Sequence, residues 1–414
     1  MAEEPTTEPL PPRVLLDDPI PLISWIEASS GAFQLDGTDL VQMWGLVALA
    51  ALSREGADRR LLPSPTHGTT NGSRFAHAVG FFDAVRGQRA AQPGEGRRTV
   101  KLNRFRDFGE IEPLASSLTR LLIDDPELED TRLTLYYVLN ELLRNVVQHS
   151  GDPLGGIVGA QRNAGERPVI QVAVADSGIG IEAHLRRSHP ALANPEEALE
   201  KSLWPHFSGT FEEGLSGSPM AQNAGMGLFF IAEMAKRTVG RLLIASRGAT
   251  LLLQGNPDDP KDHQIRFLRT GGLGFPGTLV VFELPVGEVQ DYRGLIEVIN
   301  RLAKERSPKR AIHRWLRYEA PPAGVPILLA SATAENTEAA ERLARQEIEP
   351  RLFRQEPVAL DFRGVPVCTQ SYLHSLLYRS LRVAWALQVP IFVLNADAAV
   401  KSSLELLENY ALGG

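Results

Sequence analysis

The 414-residue chain has almost no cysteine, no long apolar run and no excess of basic charge. Its single cysteine, Cys368, excludes an internal disulfide framework and fits a reducing compartment. The longest apolar run, residues 43–52 (MWGLVALAAL), is about half the length of a helix that crosses a bilayer. The formal net charge of −7 gives the whole chain no electrostatic reason to bind nucleic acid or an anionic membrane. These absences predict a cytoplasmic protein that does not insert in membranes and disfavour a nucleic-acid partner.

The chain is longer than one hydrophobic core usually serves, so several domains are expected. Residues 1–13 are acidic and rich in proline, which is typical of a flexible tail and unlike a secretory signal. Residues 14–98 are predicted to form an N-terminal α/β unit with a helix over residues 39–53. Residues 99–290 are predicted to form a unit in which helices and strands alternate, with strands at 241–246 and 278–285 among them. Residues 291–324 read as a basic helical linker. Residues 325–414 follow a β-α-β-α-β-α order, which favours a sheet covered by helices.

The linker could contact nucleic acid or an acidic partner through its basic residues. A solvated linking helix is the favoured interpretation, since runs of like charge are usually exposed. The basic residues of this stretch are Arg293, Arg301, Lys304, Arg306, Lys309, Arg310, Arg314 and Arg317.

In the segment ELLRNVVQHS (141–150), the polar residues Glu141, Asn145 and His149 recur at every fourth position among apolar residues. At about 100° per residue, the three share one face of a helix, and His149 is expected to hydrogen-bond and pack at the end of that helix. Alone, such a stripe is more often the solvated side of a helix than a binding surface.

Some thirty residues later, the strand-like segment PVIQVAVAD (168–176) ends in DSGIGI (176–181). The carboxylate of Asp176, at the end of a strand, can accept a hydrogen bond from a donor such as an adenine amino group. Gly178 and Gly180 carry no side chains, so a flat base can approach the backbone. The alternative is an ordinary Asp-Ser-Gly turn.

Two more glycine motifs follow. In NAGMGLFF (223–230), Gly225 and Gly227 precede a predicted helix, whose free N–H groups and dipole suit phosphate oxygens. The third glycine of a Rossmann motif is missing, and the sequence contains no Walker A motif. In PGTLVVFELP (276–285), Thr278 enters a strand, and its hydroxyl could support Asp176 or a water beside the base.

In this order, the four motifs resemble the boxes of the GHKL superfamily of ATP-binding domains, which includes gyrase B, Hsp90, MutL, histidine kinases and anti-sigma-factor serine kinases. The resemblance covers about residues 115–290. It implies an α/β (α+β) fold in which a mixed sheet carries helices on one face, with the nucleotide between helices and sheet.

The resemblance also implies roles for single residues. Glu141 would be the general base, Asn145 the Mg²⁺ ligand and Asp176 the adenine anchor, supported by Thr278. Residues 202–225 would form a lid over the phosphates. The glycines that would shape the pocket are Gly178, Gly180, Gly225 and Gly227.

The flanking units resemble a second family. Residues 358–377 (VALDFRGVPVCTQSYLHSLL) are similar to the strand-turn-helix of STAS domains, the fold of anti-sigma-factor antagonists. In that family a serine at the start of the helix receives phosphate, and Ser371 falls near this position, with Thr369 beside it. Thr-Gln-Ser-Tyr replaces the usual Asp-Ser-Ser-Gly, so a helix N-cap is the favoured role. Residues 33–85 could be a second, diverged STAS-like unit.

These patterns predict a signalling or regulatory protein whose GHKL ATPase domain changes state with Mg²⁺ and ATP. In carrying a glutamate at position 141, the chain resembles the anti-sigma-factor serine kinases and the hydrolysing ATPases of the superfamily. One alternative is therefore a serine/threonine protein kinase of anti-sigma type, and another is an ATP-binding scaffold with little turnover. The expected partner is a protein or the chain's own STAS-like domain, and a homodimer is left open.

Overall fold

The structure, a computed structural model, confirms the mixed α/β fold class. Within the described part of the chain, no helix is both long enough and apolar enough to cross a membrane. The structure describes residues 7–29, 31–54, 61–63, 68–88, 98–165, 167–207, 225–256, 259, 262–268, 272, 274–306, 314–333 and 335–412.

The N-terminal unit contains two small parallel sheets, with strand orders β1-β3-β5 and β2-β4. Its elements are β1 (Thr7–Pro9), β2 (Arg13–Val14), α1 (Ile20–Ala28), β3 (Ala32–Gln34), β4 (Leu40–Val41), α2 (Met43–Ser53), β5 (Leu62–Pro63), α3 (Asn71–Ala78) and α4 (Phe81–Val85).

Two sequence-based expectations for this unit need correction. The predicted flexible tail is ordered from Thr7 onward, because β1 pairs with β3 and Leu10 is buried. The helix expected over residues 39–53 begins only at Met43, since Leu40 and Val41 pair with β2 as a short strand.

The central domain has a seven-stranded sheet in the order β11-β10-β9-β12-β8-β7-β6. The strands predicted at 241–246 and 278–285 are confirmed with those bounds. Its elements are β6 (Thr99–Phe105), α5 (Phe108–Leu122), α6 (Glu129–His149), β7 (Gly156–Arg162), β8 (Val169–Asp176), α7 (Ile181–Leu185), α8 (Pro195–Ser202), α9 (Gly227–Arg237), β9 (Arg241–Ser246), β10 (Ala249–Gln254), β11 (Gln264–Leu268) and β12 (Thr278–Pro285).

This sheet differs in two details from what the resemblance implied. Every described strand pair in it is antiparallel, where a mixed sheet was expected. Its two faces are also both covered, where helices on one face were expected. Along β8, Val172 and Val174 belong to the core beneath α6 and α9, whereas Ala173 and Ala175 belong to the core beneath α2. Since β8 is apolar on both faces, both must be buried, and the N-terminal unit covers the second one.

The C-terminal domain has a parallel four-stranded sheet in the order β13-β16-β15-β14, covered by helices as predicted. The predicted helical linker contains a helix over Tyr292–Arg306, but it also contributes a strand, since Leu316 is buried and pairs with Ile391. The elements are α10 (Tyr292–Arg306), β13 (Leu316–Arg317), β14 (Ile327–Leu329), α11 (Thr337–Leu343), α12 (Glu349–Phe353), β15 (Val358–Asp361), α13 (Gln370–Leu387), β16 (Ile391–Leu394) and α14 (Ala398–Leu412).

The basic stretch pairs with acidic residues of the same chain. Arg293 contacts Asp397 at 2.9 Å, and Lys304 contacts Glu405 at 3.0 Å. Arg314 contacts Glu408, which is buried, at 3.1 Å. Helix α10 therefore lies along α14 and attaches the C-terminal domain to the central one.

Candidate functional site

A cleft between α6, α9 and the sheet holds most of the predicted site. Its empty volume, including the open mouth, is about 850 Å³. Apolar side chains such as Leu142, Val146, Val174, Met226 and Val280 form much of its wall, so it suits a flat, largely apolar group. Six predicted site residues also line it: Asn145, Asp176, Gly180, Gly225, Gly227 and Thr278.

The three polar residues on one face of α6 lie beside two parts of the protein, the cleft and the C-terminal domain. Asn145 and His149 line the cleft. Glu141 is fully buried and lies beside Gly227, where an added Cβ would be 2.4 Å from Glu141 Oε2. The stripe is therefore not a solvated face.

Asp176 ends β8 opposite Thr278 and is buried at the base of the cleft. Its Oδ1 accepts a hydrogen bond from the Gly178 N–H at 2.9 Å. Burial raises the pKa of the Asp176 carboxyl to about 7, although the backbone N–H groups of Gly178 and Thr278 lower it. The Thr278 hydroxyl lies instead 3.5 Å from Ser246 Oγ. Thr278 thus supports the carboxyl through its backbone, and the role of its hydroxyl at a water beside the base stays a prediction.

Gly178 lies just outside the cleft lining and is required by close packing. A Cβ at this position would lie 2.1 Å from the carbonyl oxygen of Ser150, which follows α6. That oxygen also accepts a hydrogen bond from Ile179 N at 2.8 Å. The loop after β8 is therefore fixed against the end of α6.

The start of α9 has the features expected of an anion site. Its N-cap residue, Met226, makes no side-chain capping bond, and the first turn holds no acidic side chain. The N–H groups of that turn open beside Gly225 and Gly227, which line the cleft. Uncapped N–H groups and the helix dipole favour phosphate oxygens there.

Two histidines form another part of the wall. The rings of His149 and His184 lie 4.4 Å apart, so the predicted packing of His149 at the end of α6 is confirmed. Burial lowers the pKa of His149 to about 3 and that of His184 to about 4, with Arg187 adding to both shifts. Both rings are therefore neutral at pH 7.

The predicted lid, residues 202–225, falls largely outside the described residues, since positions 208–224 are not described. At its beginning, Phe207 stacks on His189 with ring centroids 4.0 Å apart. His206 contacts the ring of Tyr410, on α14 of the C-terminal domain, with centroids 5.1 Å apart.

A buried polar cluster joins α6 to the C-terminal domain. Ser371 Oγ donates a hydrogen bond to Glu141 Oε2 at 2.9 Å. Arg144 donates to Glu141 Oε1 at 3.1 Å and to Thr369 Oγ1 at 3.0 Å. Glu335 completes the cluster, since it accepts from the Thr369 backbone N–H at 2.9 Å and hydroxyl at 2.6 Å. We define these five residues as the interdomain cluster.

Within this cluster, Thr369 is the N-cap of α13, because its hydroxyl oxygen accepts from Tyr372 N. The N-cap role predicted for this position is confirmed. Burial raises the pKa of the Glu335 carboxyl to about 7, and Glu141 adds to that shift, while Arg144 and Thr369 lower it.

Sequence reasoning missed Arg144 and Glu335. Arg144 has a weak signal, since it is a charged residue inside the apolar run of α6, one turn from Glu141. Glu335 has none, because it lies between elements with a left-handed backbone (φ 58°) that no local pattern announces.

A magnesium ligand set of protein groups alone is absent: no group of three or more His, Cys, Asp or Glu side chains among the described residues could hold a metal. Asn145 nevertheless fits the predicted role. It lines the cleft, and its Oδ1 is the kind of oxygen that Mg²⁺ prefers. Its Nδ2, which is buried without a hydrogen-bond partner in the described chain, is a donor and would suit a phosphate oxygen. Mg²⁺ commonly uses only one or two protein ligands and takes the rest from phosphates and water.

No protein-family model matches the sequence, and no curated protein matches it either.

Proposed function

We propose that the cleft binds ATP with Mg²⁺ and that the nucleotide controls how the C-terminal domain engages the central domain. The convergence of six predicted residues on one cleft carries this proposal. They come from α6, the end of β8 and the loop after it, the start of α9, and β12, and a shared ligand would account for matching groups from such distant segments. This is the arrangement that the resemblance to GHKL ATP-binding domains implies.

Each part of the nucleotide has a matching group. The Asp176 carboxyl would accept a hydrogen bond from the adenine amino group, and the apolar walls would cover the base. The N-terminus of α9 would receive the phosphates. Asn145 would hold Mg²⁺, which neutralises phosphate charge when bound.

Glu141 is the candidate general base. Its carboxylate lies beside Gly227, at the N-terminus of α9, where the phosphates would bind. A proton from an attacking water or hydroxyl could pass to Glu141 Oε2. In the structure that oxygen accepts a hydrogen bond from Ser371, so the C-terminal domain contacts the same atom that would take the proton.

The contact between Ser371 and Glu141 also favours a second candidate, a serine kinase. In that reaction Ser371 Oγ would give its proton to Glu141 and attack the γ-phosphorus, and the bond to the departing ADP would break. The Ser371 hydroxyl lies at hydrogen-bond distance from the base, which such a transfer requires. The acceptor is either this serine or that of a protein that takes its place.

Changing Ser371 to alanine separates the two candidates. A regulatory ATPase should keep its turnover or accelerate, since Glu141 loses a competing hydrogen bond, whereas a kinase that uses Ser371 should lose its phosphate acceptor. Phosphate release and mass spectrometry of the protein after incubation with ATP measure both. Ser380→Ala is the matched control, because Ser380 lies on the same helix and its buried hydroxyl has no partner among the described residues.

Nucleotide should also change the protection of the C-terminal domain. We expect hydrogen exchange around residues 335 and 369–372 to differ between the free protein, the ADP complex and a complex with a non-hydrolysable ATP analogue, because the interdomain cluster adjoins the phosphate end of the cleft. Identical protection of residues 325–414 in all three states would contradict control by nucleotide.

Asn145→Ala should weaken ATP binding in the presence of Mg²⁺ by about tenfold and leave binding with EDTA nearly unchanged, since only the metal contact is lost. Calorimetric titration under both conditions provides the measurement. Asn140→Ala is the control, because Asn140 lies on the same helix and donates to Tyr136 O, away from the cleft. An equal loss with and without Mg²⁺ would remove Asn145 from the metal site.

A further inference from the structure

Arg54, at the end of α2, contacts two loops beside the cleft from the opposite face of the sheet. Its side chain is 1% exposed, and all five of its N–H groups donate hydrogen bonds. The acceptors are Ala51 O at 3.1 Å from Nε, Leu154 O at 3.0 Å and Gly155 O at 2.8 Å from Nη1, and Asp152 Oδ2 at 2.8 Å and Ser177 Oγ at 3.2 Å from Nη2.

Asp152 completes the connection. Its Oδ2 also accepts from the Ser177 backbone N–H and hydroxyl, each at 2.8 Å. Its Oδ1 accepts from Leu154 N at 2.8 Å. The Arg54–Asp152 pair thus ties the segment after α6 to the loop after β8.

These two segments adjoin different residues of the candidate site. Ser177 stands between Asp176, the proposed adenine acceptor, and Gly178. The segment after α6 continues the helix that carries Asn145. A shift of Ser177 would therefore move the adenine acceptor relative to the metal ligand.

The chemistry of the pair argues against simple stabilisation. Burying an arginine and a carboxylate costs free energy that their attraction only roughly offsets, and apolar side chains of similar size often fill such positions equally well. The planar guanidinium, with five donors in fixed directions, instead specifies where its acceptors lie. In this protein the acceptors outside α2 belong to the two loops beside the cleft.

We propose that Arg54 is a positioning residue for the base-binding loop, through which the N-terminal unit sets the affinity of the cleft for a purine base. This inference rests on the proposed function. It assigns the N-terminal unit a part in ligand binding that neither its sequence nor its small sheets indicate.

Arg54→Met tests the proposal, with adenosine, ATP and inorganic tripolyphosphate as probes in calorimetric titration. We expect the variant to bind adenosine and ATP more weakly by the same factor, about tenfold to hundredfold. The reason is that a displaced base-binding loop weakens the contact with the base, which both ligands contain. Tripolyphosphate would contact only the N-terminus of α9, so the variant should bind it with the affinity of the parent. Arg54→Lys should lose less, because it keeps the charge and up to three of the donors.

Arg241→Met is the matched control. Arg241 also joins the N-terminal unit to the sheet, through Asp17 and Glu283, but it lies at the start of β9, the end distant from Ser246 and the cleft. Its loss should leave all three affinities unchanged. If Arg54→Met does not fold, Asp152→Asn, which keeps the size of the side chain, decides by the same titrations.

The outcomes are distinguishable. If the parent binds neither adenosine nor ATP, the proposed function fails. If the parent binds both and the Arg54 and Asp152 variants bind them equally well, the positioning role is wrong. Equal losses for adenosine and tripolyphosphate would overturn it too, because they would show general damage to the domain.

Discussion

Replacing Glu141 with glutamine is expected to lower ATP turnover by roughly 10²–10⁴-fold, the range that a positioned general base contributes. The amide keeps the size of the side chain but cannot take the proton of the attacking group. Affinity for ATP should change by only a few-fold, because Glu141 lies beside the cleft and does not line it.

Because Glu141 belongs to the interdomain cluster, this variant also tests whether turnover can be lost while the two domains stay docked. The amide oxygen can still accept from Arg144, which leaves the NH₂ group facing Ser371 Oγ. The hydrogen bond between the domains then reverses its direction without losing its partners, since a hydroxyl also accepts. The C-terminal domain should therefore stay docked while turnover falls.

Steady-state phosphate release gives the rate, and calorimetry gives the affinity. Glu112→Gln is the control, since that half-buried carboxylate contacts Tyr136 on the outer side of α6. A Glu141→Gln protein that turns over ATP at the parent rate would show that Glu141 is not the base. A protein that cannot bind ATP at all would give this residue a binding role.

Local patterns predicted much of the candidate site, because many of the groups that line the cleft sit at the ends of regular elements. Asp176 ends a strand whose β-branched residues predict it, and Gly227 begins a helix that its apolar spacing predicts. The packing of His149 followed from its place at the end of α6. Each of these positions depends on a few neighbouring residues.

The interdomain cluster could not be predicted in this way. Ser371 and Glu141 are 230 residues apart, and Arg144 and Glu335 are 191 apart. No local pattern encodes such a pairing, which depends on how α10 and α14 attach the C-terminal domain. The cover on the second face of the sheet was missed for the same reason: Ala173 and Ala175 show that a face is apolar but not which element packs on it.

Asp176→Asn is expected to weaken ATP binding by up to about 100-fold and to leave the fold intact. The Gly178 N–H donates to Oδ1, so the amide oxygen of asparagine would take that place. The NH₂ group would then point to the position of the second oxygen, and it would face the adenine amino group of the proposed ligand, donor against donor. The lost hydrogen bond costs about 0.5–3 kcal/mol, and the clash adds to it.

The raised pKa of Asp176 supplies a second signature of this residue. Because the folded-state pKa is about 7 and the ordinary value is 3.8, this group costs the fold stability as pH rises from about 4 to about 7, and the loss is complete above that pH. The asparagine variant escapes this cost, so its melting temperature should equal or exceed that of the parent at pH 8. Adenosine affinity of the parent should fall below pH 7, as the carboxylate becomes protonated and accepts less strongly, and this dependence should vanish in the variant. Adenosine is the better probe because it has no phosphate to titrate. Parent-like affinity in the variant, or a pH dependence that survives the substitution, would remove Asp176 from the site.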